Sequence, residues 1–240
     1  MGSVVTRLRD REDHGDMKRL PHDYPWTSTP AAGLLDRGRF RAHADPLRSL
    51  DLQGRRAVVA VGSNAAPAVL AAKLPEARIP LLPAVMTHLA VGHSAHVSLA
   101  GYIAAAPYPY PGARTPVMVS WLEAAALAEL DATEPNYERV TVSSVGGDLH
   151  ADTALHPEDV DLYVSRHGVV GTPEPLALTT QERLFAELAR VPELSSALEG
   201  DVIEVCARLA DDPDLRATVT GRLPRWTPDS PETPAADVPG

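Results

Sequence analysis

The segment RRAVVAVGSNAAPAVLAAKL, residues 55–74, constrains the fold more than any other part of the chain. Residues 57–61 are a short apolar run rich in β-branched side chains, the pattern of a buried strand. Gly62-Ser63-Asn64 ends that run, and Pro67 stands where the first turn of a helix accepts a proline, so a helix is expected over 67–74. The unit is therefore strand, tight polar loop, helix. Such a loop offers backbone N–H groups and short polar side chains to an anion or a carbonyl. Gly, Ser and Asn are also the ordinary residues of turns, so the unit by itself sets architecture before chemistry.

The rest of the chain continues the same alternation. Residues 84–98 alternate well enough for a strand, 101–106 are short and apolar, and 107–116 are expected as a proline-rich connection. Another strand is expected at 117–121, followed by a helix through LEAAALAELDATE, where alanine and leucine have high helix propensity. Residues 137–145 are β-like, Gly146-Gly147 is an expected turn, and 160–165 make a last strand. Helices are expected over 180–198 and 202–209, with Thr179 or Thr180 as N-cap and Glu182 near the positive end of the dipole. Upstream, short helices are expected around 34–40 and 46–50. Several strands with few helices between them and a helical C-terminal part predict an α+β fold, a small mixed or antiparallel β-barrel with added C-terminal helices.

Charge and cysteine content narrow the partners. Twenty-two basic residues against 32 acidic ones give 22 − 32 = −10, which argues against duplex DNA or an anionic membrane face as the main partner. A chain of 240 residues at 44% hydrophobic can bury roughly 70% of its surface. The single cysteine, Cys206, excludes an intrachain disulfide framework and a multi-thiolate metal site, and VIEVCARLA suggests a small buried helix residue. No apolar run is long enough for a spanning helix and the N-terminus has no signal-like core, so a cytoplasmic protein is expected. The expected organisation is a mobile segment over 1–25, an N-terminal extension over 26–56, a main domain over 57–180, a helical part over 181–226 and a disordered acidic tail over 227–240.

A second unit, Leu130-Asp131-Ala132-Thr133-Glu134-Pro135-Asn136-Tyr137, closes the alanine-rich helix. Asp131 and Glu134 are three apart and near neighbours on a helical face. A desolvated carboxylate at the negative end of a helix suits a general base, whereas two solvated acids closing an exposed helix are the plain alternative.

In order, the two units resemble the gamma-glutamylcyclotransferase-like family. The loop Val61-Gly62-Ser63-Asn64 is similar to the family's Tyr-Gly-Ser-Asn loop, and VMVSWLEAAALAELDATEPNYERV is similar to its strand, helix and Leu-Asp-x-x-Glu segment with a following tyrosine. GYIAAAPYPYPG and the strand bearing Tyr163 extend the resemblance over roughly residues 57–180. It implies a small barrel-like α+β fold with a cavity at one end. It also implies that Glu134 takes a proton from the α-amino group of a γ-glutamyl amine or amino acid. The freed amine attacks the γ-carbonyl, giving 5-oxoproline and releasing the amine. Gly62, Ser63 and Asn64 would hold the substrate, with Val61, Tyr137 and Tyr163 also lining its site. No metal or other cofactor is implied. Two departures stand out: Val61 replaces the family's tyrosine, leaving Tyr102, Tyr137 or Tyr163 to supply a contact there, and Pro135 follows the glutamate where glycine is usual. The alternative is a non-catalytic binding or scaffold protein with the same fold and cavity.

Other groupings compete weakly. His88, His93 and His96 match no strong zinc spacing, and on a strand His88 and His96 share a face while His93 points opposite. Ser94 and His96 would also share a face and line the cavity. Gly92-His93-Ser94-Ala95-His96 lacks the second glycine of a nucleophile elbow. Trp121 is expected in the core.

Overall fold

The computed structural model describes residues 19–26, 31–47, 51–143 and 159–226. The expected turn at Gly146-Gly147, residues 1–18 of the N-terminal segment, 48–50 of the second short helix and the tail 227–240 lie outside the described residues.

Among the described residues, seven strands form one mixed sheet: β1 (Gly33–Asp36), β2 (Arg39–Ala42), β3 (Arg56–Ala60), β4 (Arg78–His93), β5 (Ala105–Leu122), β6 (Tyr137–Ser143) and β7 (Asp159–Ser165). Their order is β2-β1-β4-β5-β3-β7-β6, antiparallel throughout except for the parallel pair β3 and β7. The sheet is not closed, with β2 and β6 at its edges, so the expected barrel gives way to an open mixed sheet within an α+β fold. β3 is buried on both faces. Val58 packs with Leu70, Leu127 and Leu130 beneath helices α1 (Pro67–Lys73) and α2 (Ala124–Ala132), while Ala57 and Val59 pack with Leu82, Val119 and Leu162 on the other side. That two-sided burial is why the run reads as continuously apolar instead of alternating.

Two elements of the sheet differ from expectation. Residues 34–40 form the hairpin of β1 and β2, because Arg37 and Gly38 both adopt positive φ, 47° and 76°, and turn the chain back. The proline-rich 107–116 is not a connection but part of β5. β4 pairs with it from Leu81↔Ser120 to Thr87↔Arg114 and again from Leu89↔Pro109 to His93↔Ala105. Between the two registers residues 110–113 bulge opposite His88, whose Nδ1 accepts from the Gly112 N–H at 3.0 Å. β3 pairs with β5 only at residues 118–122, so the N-terminal part of β5 has β4 on one side alone. Prolines are tolerated there because a missing N–H on the unpaired side breaks no ladder.

The C-terminal part holds α3 (Gln181–Leu188), α4 (Pro192–Leu198), α5 (Val202–Asp211) and α6 (Pro213–Arg222). The single helix expected over 180–198 is split in two, with Pro192 opening the second, and α6 continues beyond the expected end. Thr180 caps α3, accepting from the Arg183 N–H. Leu184, Leu188, Leu194, Val205 and Leu209 form a core that Ala95 and Ile103 from the sheet side join. Cys206 is buried in it, and that burial pushes its thiol up to about 11. A ribbon of β8 (Val169–Val170) and β9 (Arg225–Trp226) ties the end of the helical part back to the sheet.

Asp161 on β7 is fully buried and accepts from Arg56 at 2.6 Å, Arg139 at 2.6 Å and Thr141 at 2.8 Å. Arg139 reaches Asp131 at the end of α2 with two further bonds, at 2.9 and 3.0 Å. Sheet and helix end are thus pinned by one network. Burial alone would raise the Asp161 pKa, but the bonds from Arg56, Thr141 and Arg139 outweigh it and hold the group below the usual carboxylate range. Its contribution to stability is therefore complete above the unfolded carboxyl value of about 3.9 and is lost as pH falls through the lower folded value. Asp161→Ala, leaving two guanidinium groups without their shared partner, is expected to cost about 3 kcal/mol in urea denaturation.

Candidate functional site

The end of α2 separates its two acids. The helix stops at Ala132, Thr133 caps it with its hydroxyl on Leu130 O at 2.8 Å, and Glu134 lies beyond the cap before Pro135. Asp131 turns to Arg139 and Tyr163, and the Arg139 bonds in particular hold its carboxyl below the usual range. Glu134 turns the other way, into a cavity of about 50 Å³ at the C-terminal end of β3. Its side chain is only 12% exposed.

The loop after β3 meets it there. Gly62 leads into a 3-10 turn over Ser63–Ala65, closed by Ala65 N–H on Gly62 O and Ala66 N–H on Ser63 O. The N–H groups of Ser63 and Asn64 open this turn and have no acceptor among the described residues. Asn64 donates its side-chain amide to Glu134 Oε1 at 2.9 Å, across 70 residues of sequence. Lys73, from the last turn of α1, donates to Asn64 Oδ1 at 2.9 Å and forms an ion pair with Glu134 Oε1. Carboxylate, amide and ammonium thus form a closed triangle at the cavity.

All the expected site residues line this cavity: Val61, Gly62, Ser63, Asn64, Glu134, Tyr137 and Tyr163. Tyr163 donates to Asp131 at 2.7 Å and Tyr137 donates to Ala105 O at 2.8 Å. Burial first, with nearby negative charge behind it, raises the pKa of both phenols, so both remain neutral donors. Tyr102 is absent from the lining, although it had been a candidate to make up for Val61; it stacks instead on Tyr24, ring centroids 4.7 Å apart. Sequence reasoning missed Tyr24 and Lys73. The Tyr24-Pro25-Trp26 aromatic pair at the end of a charged segment is the one local signal for the former. For Lys73, the signal is a cation in the last turn of the helix that follows the loop.

The histidines go elsewhere. His88 sits in the bulge, and His93 is buried with Nε2 accepting from the Thr179 N–H at 3.0 Å and its other ring nitrogen 3.5 Å from Ile103 O. His96 stacks on His167 at 4.6 Å and contacts the Ser94 hydroxyl, which also meets Ser165 at 2.6 Å. Ser94 and His96 do touch, as their spacing suggested, but they lie behind Tyr137 instead of lining the cavity. Among the described residues no three His, Cys, Asp or Glu side chains gather as a metal site would require.

Burial pulls the pKa of both His93 and His96 down to about 4. The unfolded chain takes up protons on these residues near 6.5 while the fold keeps them neutral, so stability falls as pH drops from about 6.5 towards 4, by roughly 1.4 kcal/mol per pH unit for each histidine. Melting temperature measured across that range should decline, and His96→Gln should flatten the decline.

No family model matches the chain, and no curated protein matches it. Among solved structures it is similar to an Arabidopsis thaliana protein determined in solution, at 18% identity and a TM-score of 0.40, over 60% of this chain and 88% of that one. It is also similar to a gamma-glutamyl cyclotransferase, at 12% identity and 0.39, over 73% and 92%. A third is an uncharacterised Homo sapiens protein, at 13% and 0.39, over 75% and 95%. At these values the likeness is loose. Among the described residues no helix is long and apolar enough to cross a membrane.

Proposed function

We propose that the chain is a gamma-glutamylcyclotransferase-like enzyme that converts a γ-glutamyl amine or amino acid to 5-oxoproline. The observation that carries this reading is the Glu134 carboxylate held against Asn64 of the 62–64 loop at one cavity. Glu134 takes a proton from the substrate's α-ammonium. The nitrogen lone pair then forms a bond to the γ-carbonyl carbon, five-membered ring closure needing little beyond a fixed geometry and a base. The C–N bond to the departing amine breaks as that nitrogen receives the proton from Glu134, and the second proton of the ring nitrogen passes through the freed carboxylate to the departing amine, which leaves as its ammonium. The free N–H groups of Ser63 and Asn64 are suited to a substrate carboxylate or carbonyl. Lys73 is 21% exposed on a flexible stem, so the substrate ammonium can take its place on Glu134.

The main unit of this reading spans residues 57–180, the substrate is a small molecule, and the compartment is the cytoplasm, in keeping with one buried, unpaired thiol. The second reading, a non-catalytic binding or scaffold protein, has one observation in its favour: the ion pair with Lys73 occupies the same Glu134 oxygen that a base would use.

The test is incubation with a panel of γ-glutamyl amino acids and amines, reading 5-oxoproline by chromatography. The enzyme reading expects turnover by the unaltered chain and a drop of about 10²–10⁴-fold in Glu134→Gln. Binding of panel members without any 5-oxoproline would favour the second reading.

A further inference from the structure

Three phenols line the cavity, and their hydrogen bonds are not equivalent. Tyr163 spends its hydrogen on Asp131, and Tyr137 spends its own on Ala105 O. Tyr24 is the exception. Its oxygen accepts the Ala105 N–H at 2.8 Å, so the two tyrosines hold the N–H and the C=O of one residue, but its hydrogen has no acceptor among the described residues. The residue is 2% exposed. Buried donors are nearly always paired, so an uncommitted one facing a cavity marks where a ligand acceptor belongs.

The placement is rigid. The Tyr24 ring stacks on Tyr102 and meets Trp26 edge-on at 5.0 Å, and its carbonyl accepts from Gln181 N–H at 3.2 Å. The hydroxyl lies close over the loop, since a Cβ added at Gly62 would stand 3.0 Å from it. Glycine at position 62 therefore makes room for this phenol. Burial, reinforced by Tyr102 and Glu134, raises its pKa and keeps it protonated across the working pH range.

We propose that Tyr24 is a further catalytic residue, donating its hydrogen bond to the carbonyl oxygen that the substrate's amine attacks. Naming that oxygen rests on the cyclotransferase reading; the existence of an oxygen acceptor does not. As the C–N bond forms, the carbonyl π pair moves onto oxygen, and the hydrogen bond that the Tyr24 hydroxyl donates to that oxygen strengthens. When the pair returns, the bond to the leaving amine breaks, that amine takes the proton held by Glu134, and the second proton of the ring nitrogen follows it through the freed carboxylate. Tyr24 keeps its own proton throughout. Ligands of this site accordingly present an amide or lactam oxygen towards Ala105, alongside an amino group towards Glu134.

Tyr24→Phe keeps the ring and removes the donor. The expected result is a fall in kcat of about 10²-fold with KM changed less than about threefold, the split of a donor engaged mainly in the transition state. Circular dichroism identical to the unaltered chain excludes a folding defect. A kcat within threefold of the unaltered chain would overturn the assignment while leaving the cyclotransferase reading intact. Calorimetric titration with 5-oxoproline, whose lactam oxygen is the product of the attacked carbonyl, gives a readout without turnover. If the unaltered chain makes no 5-oxoproline but binds it, and Tyr24→Phe binds about tenfold more weakly, the donor is supported and the enzyme reading falls. Equal binding by the two chains overturns the donor, and no binding by either overturns both.

Discussion

The position of β3 governs what this protein can bring together. It lies between β5 and β7, buried on both faces, and ends in a glycine-led loop. β5 leads directly into α2, so antiparallel pairing with β5 brings the end of that helix back towards the end of β3. Parallel pairing with β7 sets Asp161 and Leu162 beside Val58 and Val59, which places Tyr163 next to the same loop. The cavity is a consequence of these two pairings. Its polar groups come from Tyr24, the loop after β3, Ser120 of β5, the stretch from Glu134 to Tyr137 and Tyr163 of β7.

Much of this was legible. The apolar run, the Gly62-Ser63-Asn64 break and the Leu-Asp-x-x-Glu helix end carried the strand, the loop and Glu134, because burial on both faces and helix termination leave local traces in sequence. Residues whose role depends on tertiary pairing left weaker ones. The hairpin of β1 and β2 stands where a short helix around 34–40 is expected, although Asp36-Arg37-Gly38 carries the turn signal. The prolines of β5 argued for a connection, since nothing local says that β3 stops short and leaves that side of the strand unpaired. Tyr24 falls in the 1–25 segment expected to be mobile, and only the fold places its hydroxyl 2.8 Å from Ala105 N.

Two clusters of polar side chains beside α2 do different work. Asp161, Arg56, Arg139 and Asp131 neutralise one another within hydrogen-bond distance and hold α2 against the sheet. The Glu134, Asn64 and Lys73 side chains bond to one another, and of the three Glu134 and Asn64 line the cavity. The partly buried pair of Lys73 and Glu134 is a weak source of stability. The first set fixes the frame in which the second set is displayed. Two carboxylates three residues apart on one helix end thereby acquire unrelated roles through their partners alone.

The most direct test of the base assignment is a crystal structure of Glu134→Gln with a bound γ-glutamyl amino acid. The account predicts the substrate's α-amino nitrogen about 3 Å from the side chain at position 134, with Lys73 displaced and the γ-carbonyl facing Tyr24. A ligand seated in the cavity with its amino group directed away from position 134, or bound outside the cavity, would contradict it.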